Sequence, residues 1–329
     1  MIARVTRRQL GAQIGLCMVA SIAACRAPRA DNFPSRPIKF VCPYTAGGPG
    51  DTTLRLLAEA MSKELGQPIV VDNRPGGNGA VAGNAVVAAP PDGYTALQTV
   101  TSTLVLAPLQ SNQAGYASKL TGVGYLLDAP LGVVAKPQLD AKSLRDAIAL
   151  AKARPKQLNY GFAGIGSIGH LLAEDFCLRE GIAMVGVPYP GDTAVYNALM
   201  AGDIDLAFVA LPGALPFIKS GKVTGLVTTG RERLAELPSL PTAAEAGYPA
   251  LEATTFYGLS VTKGTPPEIL GRLSNAFIAA CRDPKLQERL KEMHFRPVGR
   301  GPEDLNAEAK RQHERWLPII QKLGLEPKD

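Results

Sequence analysis

Short apolar runs and stretches of helical period alternate along this chain. Residues 38–42 form a run of buried-strand character. From about Asp51, Leu54, Leu57, Met61 and Leu65 recur on one helical face, and Gly66 ends the helix. Residues 69–71 read as a second strand. The run 74–79 (Arg-Pro-Gly-Gly-Asn-Gly) turns into a helix rich in alanine and valine, and Pro90-Pro91-Asp92-Gly93 punctuates the chain before a third strand at 94–100. The alternation resumes with strands at 131–135, 158–162, 184–187, 205–209 and 223–228. Helices at 143–153, 168–181 and 193–201 lie between them. Thr242…Glu245 and Thr265-Pro266-Pro267-Glu268 fit capping boxes, residues 255–261 form another strand, two helices follow, and the last runs from 302 to about 323. Trp316, with Leu305, Ile319 and Leu323, belongs to a core stripe of that helix. Strand–helix alternation of this kind predicts an α/β fold with a parallel, doubly wound sheet, and about 300 residues favour two domains.

Two glycine-rich turns stand out, each after a strand and before a helix. The first runs Pro43-Tyr44-Thr45-Ala46-Gly47-Gly48-Pro49-Gly50-Asp51, the second Ala163-Gly164-Ile165-Gly166-Ser167. Such a turn offers backbone N–H groups and the positive end of a helix dipole to an anion. Two of them suggest half-sites that face one small acidic ligand. Asp51 is open to two readings, a carboxylate that selects among ligands or an ordinary helix cap. Arg74 is equally an anion clamp or a tie for its own loop.

The ends change the charge picture. Arg4, Arg7 and Arg8 precede an apolar stretch at 11–24 that is too short to span a bilayer, the pattern of a secretory signal peptide. Thr6-Arg7-Arg8-Gln9-Leu10 also fits a twin-arginine signal, and Ile22-Ala23-Ala24-Cys25 resembles a lipobox with Cys25 as the lipidation site; ordinary cleavage nearby is the alternative. The chain has 35 Lys and Arg against 29 Asp and Glu, and residues 1–31 hold five of the arginines and one acid. The remaining 30 against 28 leave no nucleic-acid footprint. Three cysteines stay in the body, Cys42, Cys177 and Cys281, with no close spacing; buried free thiols are expected.

Catalytic motifs fare poorly. Gly164-Ile165-Gly166-Ser167-Ile168-Gly169 matches G-x-G-x-x-G, yet the next strand ends in Val187-Pro188-Tyr189-Pro190 without the ribose-binding acid, so no nucleotide cofactor is expected. Ile165 stands where a nucleophile elbow needs glycine. His170, His294 and His313 lack metal spacing; His170 is read as a packing residue, and Asp203 and Asp205 as turn and solvent residues. No metal site is expected.

Several strings occur in a telling order. They are Phe33-Pro34-Ser35-Arg36-Pro37-Ile38, Pro43-Tyr44-Thr45-Ala46-Gly47-Gly48…Asp51, Val71-Asp72-Asn73-Arg74-Pro75-Gly76-Gly77-Asn78-Gly79, Pro91-Asp92-Gly93-Tyr94-Thr95, Leu158-Asn159-Tyr160-Gly161…Gly166-Ser167…His170-Leu171, Val187-Pro188-Tyr189 and Leu237-Pro238…Pro241-Thr242-Ala243-Ala244-Glu245-Ala246-Gly247. Together they closely resemble the Bug (TctC-like) family, the extracytoplasmic solute receptors of tripartite tricarboxylate transporters. The resemblance implies a type II periplasmic binding protein fold, two doubly wound α/β domains joined by crossover strands that cross near Leu131 and Thr254. It places a leader at 1–31 (ending at 24 if lipidated), the first domain at 32–131 and 254–329, and the second at 132–253. It implies a periplasmic monomer, free or anchored through Cys25, that binds a small carboxylate without catalysis, cofactor or metal. The partner would be the integral-membrane permease subunits of a tripartite tricarboxylate transporter. Delivery to a sensor kinase, or an exported enzyme using the same cleft, are the alternatives. Ligand contacts would fall to Tyr44, Ala46, Gly47, Gly48 and Asp51 on one side and to Ala163, Gly164, Gly166 and Ser167 on the other, partly through ordered waters. Ser102 and Thr103, at the end of the third strand, would read the far end of the ligand with Asp51. The chain departs from the family pattern at Val209-Ala210, where an aspartate is usual, at Phe256-Tyr257, where a tryptophan is common, and in the irregular stretch 110–124.

Overall fold

The computed structural model describes residues 33–327, and every element below lies in the unit that begins at Pro34. The first half follows the strand–helix pattern: β1 (Ile38–Cys42), α1 (Pro49–Leu65), β2 (Ile69–Asn73), α2 (Ala80–Val87) and β3 (Thr95–Val100). Gly66 caps α1 in the left-handed region at φ 66°, where a side chain would be strained. β1 pairs in parallel with β2 and β3. A π-helical turn, Ser102–Leu106, then runs into α3 (Ala107–Gln110).

β4 (Leu120–Ala135) is the longest strand, and the apolar pattern predicted only its last five residues. Its first part escaped detection because Gly122, Gly124 and Pro130 interrupt the run. The structure shows why two of those residues are small: a Cβ at Gly124 would lie 2.3 Å from the Phe277 ring, and one at Gly122 would press on Leu305 and Asn306 at 3.2 Å. Register shifts flank Gly124, as they do at bulges.

The second half contains α4 (Leu144–Ala153), β5 (Asn159–Phe162), α5 (Ile168–Glu180), β6 (Val185–Pro188), α6 (Asp192–Ala201), β7 (Leu206–Ala210), α7 (Leu211–Lys219) and β8 (Thr224–Thr228). Ser143 closes a capping box with Asp146 at the start of α4. α7 was not predicted, since Gly213 and Pro216 argue against a helix; Gly213 is needed because a Cβ there would sit 2.5 Å from the Tyr196 hydroxyl. The chain ends with β9 (Thr254–Thr262), α8 (Pro267–Ala280), α9 (Pro284–Glu292), β10 (Arg296–Arg300) and α10 (Pro302–Lys322). β10 was also unpredicted. Two cap expectations need correction. Thr242 and Glu245 make both capping-box hydrogen bonds, but around a turn with no helix behind it. Thr265 donates to the Thr262 carbonyl instead, and Pro266 takes the cap position of α8.

The strands form one ten-stranded sheet, ordered β2-β1-β3-β9-β4-β7-β5-β6, with β8 and β10 also paired to β4. It is mixed rather than parallel: β1–β2, β1–β3, β5–β6 and β5–β7 are parallel, while every pairing of β4 and β9 is antiparallel. The cause is β9, which returns after the second half and re-enters between β3 and β4. β4 pairs with β9 through Pro130 and with β7 and β8 from Leu131 or Gly132 onward. Thr229 fastens that crossing. Its hydroxyl accepts the Leu131 N–H at 2.9 Å and donates to the Ala253 carbonyl at 2.6 Å, fully buried. Trp316 is fully buried with its indole N–H on Gln312, and Leu305 and Ile319 are buried beside it. Cys42, Cys177 and Cys281 are buried free thiols, and burial pushes Cys42 up to about 11.

Replacing Thr229 with valine keeps the shape and removes the hydroxyl. The loss should cost about 1–3 kcal/mol, the usual penalty for stranding buried partners, and urea denaturation at constant m-value measures it.

Candidate functional site

The ends of β1, β3, β5 and β7, with the segments that follow them, surround a cavity of about 320 Å³. That is within the size range of small-molecule sites. Tyr44 from the first turn, Ser102 after β3, and Ala163 and Ser167 from the second turn all line it. So do Gly79, the first residues of α5, Asp192 at the start of α6, Val209-Ala210 at the end of β7, and Thr255 and Tyr257 on β9.

Close packing shapes the first wall. A Cβ at Gly50 would fall 2.3 Å from the Tyr44 ring, so the ring packs directly on the start of α1. Ser102 and Tyr257 act on the Tyr44 hydroxyl, and burial pushes it up to about 12. Gly79, at φ 95°, leaves room for Thr103, whose methyl would be 2.2 Å from a Cβ there. Thr103 itself turns away: its hydroxyl caps Val100, accepting the N–H at 2.9 Å. In the second wall, Gly169 lets α5 approach β7; a Cβ would collide with the Phe208 carbonyl at 2.2 Å.

The predicted site residues therefore separate. Tyr44, Ser102, Ala163 and Ser167 face the cavity, whereas Ala46, Gly47, Gly48, Asp51, Thr103, Gly164 and Gly166 are not among its lining residues. Ala46 and Gly47 are exposed on their turn. Asp51 sits behind that turn, only 2% exposed. Its carboxylate accepts from the Gly47 N–H at 2.9 Å, from Arg55 at 2.9 Å and from Asn73 at 2.8 Å. Burial alone would raise the Asp51 carboxyl, but these three donors outweigh it and hold the group below its ordinary value. Arg74 ties its own loop through Asp72 at 3.0 Å.

The second turn is just as self-contained. The Gly164 N–H donates to the Phe162 carbonyl and the Ser167 N–H to the Gly164 carbonyl. The Gly166 N–H donates to Nδ1 of His170 at 3.1 Å, and Ser167 caps α5 by accepting the His170 N–H. His170 stacks on Phe162 with centroids 4.4 Å apart, and burial lowers its proton affinity, consistent with a neutral packing residue. Gln110, from the segment expected to be irregular, donates to the Gly166 carbonyl at 3.0 Å. Asp205 corrects the expectation of a solvent residue: it is buried, accepting the Asn159 N–H and pairing with Lys136 at 2.7 Å.

Sequence reasoning missed Asp192 and Thr255 as cavity residues. Only Asp192 carried a signal, an acid directly after Gly191 at a helix start. Burial pushes its carboxyl up to about 6, partly offset by the Ala210 N–H. Two of the three departures from the expected family pattern also border the site, with Val209, Ala210 and Tyr257 on the cavity and Phe256 in the core. No cluster that could hold a metal occurs among the described residues, and no helix among them is long and apolar enough to cross a membrane.

A cavity ringed by strand ends and helix starts, with β4 and β9 passing between two groups of strands, is the type II periplasmic binding protein architecture. The family model described as "Tripartite tricarboxylate transporter family receptor" (TctC) matches residues 53–325, and the chain belongs to that family. Protein BugT of Bordetella pertussis is 31% identical over 319 residues, 96% of this chain and 98% of BugT. A Rhodopseudomonas palustris protein solved with adipate matches at TM-score 0.80 and 30% identity, covering 90% of this chain and 100% of that one. MatC from the same organism, with bound malate, matches at TM-score 0.77 and 30% identity, covering 88% and 100%.

Asp51→Asn should loosen the first turn and lower stability at neutral pH. Because the folded carboxyl titrates below the unfolded one, its contribution is present above about pH 4 and lost as pH falls through the lower folded value. The variant should therefore converge on the wild type in acid, a trend that thermal melts from pH 7 to pH 3 would reveal. Gly169→Ala should lower the melting temperature clearly through its clash with backbone, whereas Gly48→Ala, with its nearest atom 3.7 Å from the new Cβ, should leave it nearly unchanged.

Proposed function

We propose that this chain is an extracytoplasmic solute-binding receptor that captures a small carboxylate in the cavity and delivers it to a tripartite tricarboxylate-type transporter. The observation that carries the reading is the cavity bordered by the two glycine turns, with Tyr44, Ser102 and Ser167 on its wall, in a chain whose structural relatives hold adipate and malate. One lobe comprises residues 32–131 and 254–329, the other 132–253, with the hinge where β4 changes partners at Pro130-Leu131. Residues 1–31 act as the export signal; these, with Cys25, lie outside the described residues.

The start of α5 supplies the anion end of the site, with the Ser167 hydroxyl as donor and the helix dipole adding about 0.3–2 kcal/mol. Tyr44 and Ser102 face it from the first lobe, and closure about the hinge surrounds the ligand. Ala46, Gly47, Gly48, Gly164 and Gly166 act from the rim, while Asp51 and Thr103 hold the first wall in shape. Micromolar affinity requires about −8 kcal/mol, within reach of several hydrogen bonds to a charged group in a water-excluding cleft. The reading is non-catalytic: Ser167 and His170 are engaged in capping and turn contacts rather than in a nucleophile–base pair.

Thermal-shift measurements against a panel of carboxylic acids test this. An acid present at one hundred times its Kd adds about 2.7 kcal/mol and should raise the melting temperature by roughly 5 °C. A response confined to neutral sugars would overturn the ligand class.

A further inference from the structure

The cavity offers no cation to a bound carboxylate. Among the residues lining it, Asp192 alone is charged, and no lysine or arginine faces in. Among the described residues Asp192 has no salt bridge. The groups around it are the Ala210 N–H at the end of β7, Tyr196 on its own helix, Tyr44 from the first turn and Tyr257 on β9. All three tyrosine hydroxyls are pushed up by burial and by the Asp192 charge, so they remain neutral donors. A dicarboxylate would therefore bring two negative charges to a cavity that already holds one, with no cation to balance them.

Resting on the receptor reading above, we propose that Asp192 is a specificity-determining residue that pairs with a cationic nitrogen of the solute. The ligand then lies head to tail, its carboxylate at the start of α5 and its ammonium at Asp192. The class of solute is a small amino acid of zero net charge, α- or ω-amino, rather than an unsubstituted dicarboxylate. The ion pair in the closed cleft replaces the solvation that both charges lose on closure.

The balance also sets a pH dependence. The empty-site carboxyl titrates at about 6, so the pairing form is dominant at pH 7.5 and a minority at pH 5. Affinity for an amino acid ligand should fall about tenfold between those values. Protonated Asp192 becomes a donor, so a dicarboxylate should bind no worse in acid.

Isothermal titration of the exported protein against matched probes decides the matter: succinate with 4-aminobutyrate, adipate with 6-aminohexanoate, and malate with alanine. At least one amino acid should bind ten times more tightly than its dicarboxylate counterpart at pH 7.5. Asp192→Asn, nearly isosteric and able to keep the Ala210 contact, should lose tenfold or more for that probe, gain for the dicarboxylate, and show a flat profile from pH 5 to pH 7.5. Its melting temperature without ligand should be no lower than that of the wild type at pH 7.5, because a carboxyl raised by burial opposes folding when ionised. Dicarboxylates binding equally well, with Asp192→Asn shifting both classes alike, would overturn the inference and leave the receptor reading intact. If no acid of either class binds, both fall together.

Discussion

The backbone of β4 is the constraint on which the rest of this structure depends. Its sixteen residues pair with β9 and β10 over one stretch and with β7 and β8 over the next, so two groups of strands share one hydrogen-bonded ladder. A buried strand must satisfy its peptide groups along its whole length. Glycines at 122 and 124 leave room for Leu305 and Phe277 against the strand, where its register with β9 shifts. The buried Thr229 hydroxyl then joins β4 to both segments that leave and re-enter beside it. The cavity lies where this crossing leaves the strand ends of both groups facing each other.

The glycine turns are partly tied up within the protein. The N–H groups of Gly47, Gly164, Gly166 and Ser167 go to Asp51, to His170 and to neighbouring carbonyls. Their glycines serve close approach and positive φ, as at Gly47, Gly164 and Gly166. What they deliver to the cavity is placement: the Tyr44 ring on Gly50, and the start of α5 against β7 through Gly169. The polarity of the site then comes from hydroxyls, a helix terminus and a single carboxylate.

Much of the fold was legible because periodicity and punctuation agree. Residues 49–65 present an apolar stripe that ends at a left-handed glycine, and 144–153 follow a complete capping box. Legibility failed where a residue answered to a distant neighbour. Gly124 answers to Phe277 and Gly213 to Tyr196, and both broke the local pattern of real elements, β4 and α7. Thr242 shows the converse, since its capping box is satisfied with no helix to cap.

The sequence alone determined most of the succession of strands and helices, the two turns that border the cavity and the family to which the strings point, because these are local patterns read within a few residues of one another. Tertiary structure alone decided which side chains of those turns face inward. Asp51 and Asp192 both lie in the first turn of a helix directly after a glycine, yet one is fastened behind its turn by Arg55, Asn73 and Gly47, while the other is left in the cavity beside Tyr44 and Tyr257. Gly47 and Arg55 are local to Asp51, but Asn73, 22 residues on in β2, completes its set of donors, and Tyr257 reaches the cavity from β9; such long-range pairing leaves no trace in local spacing.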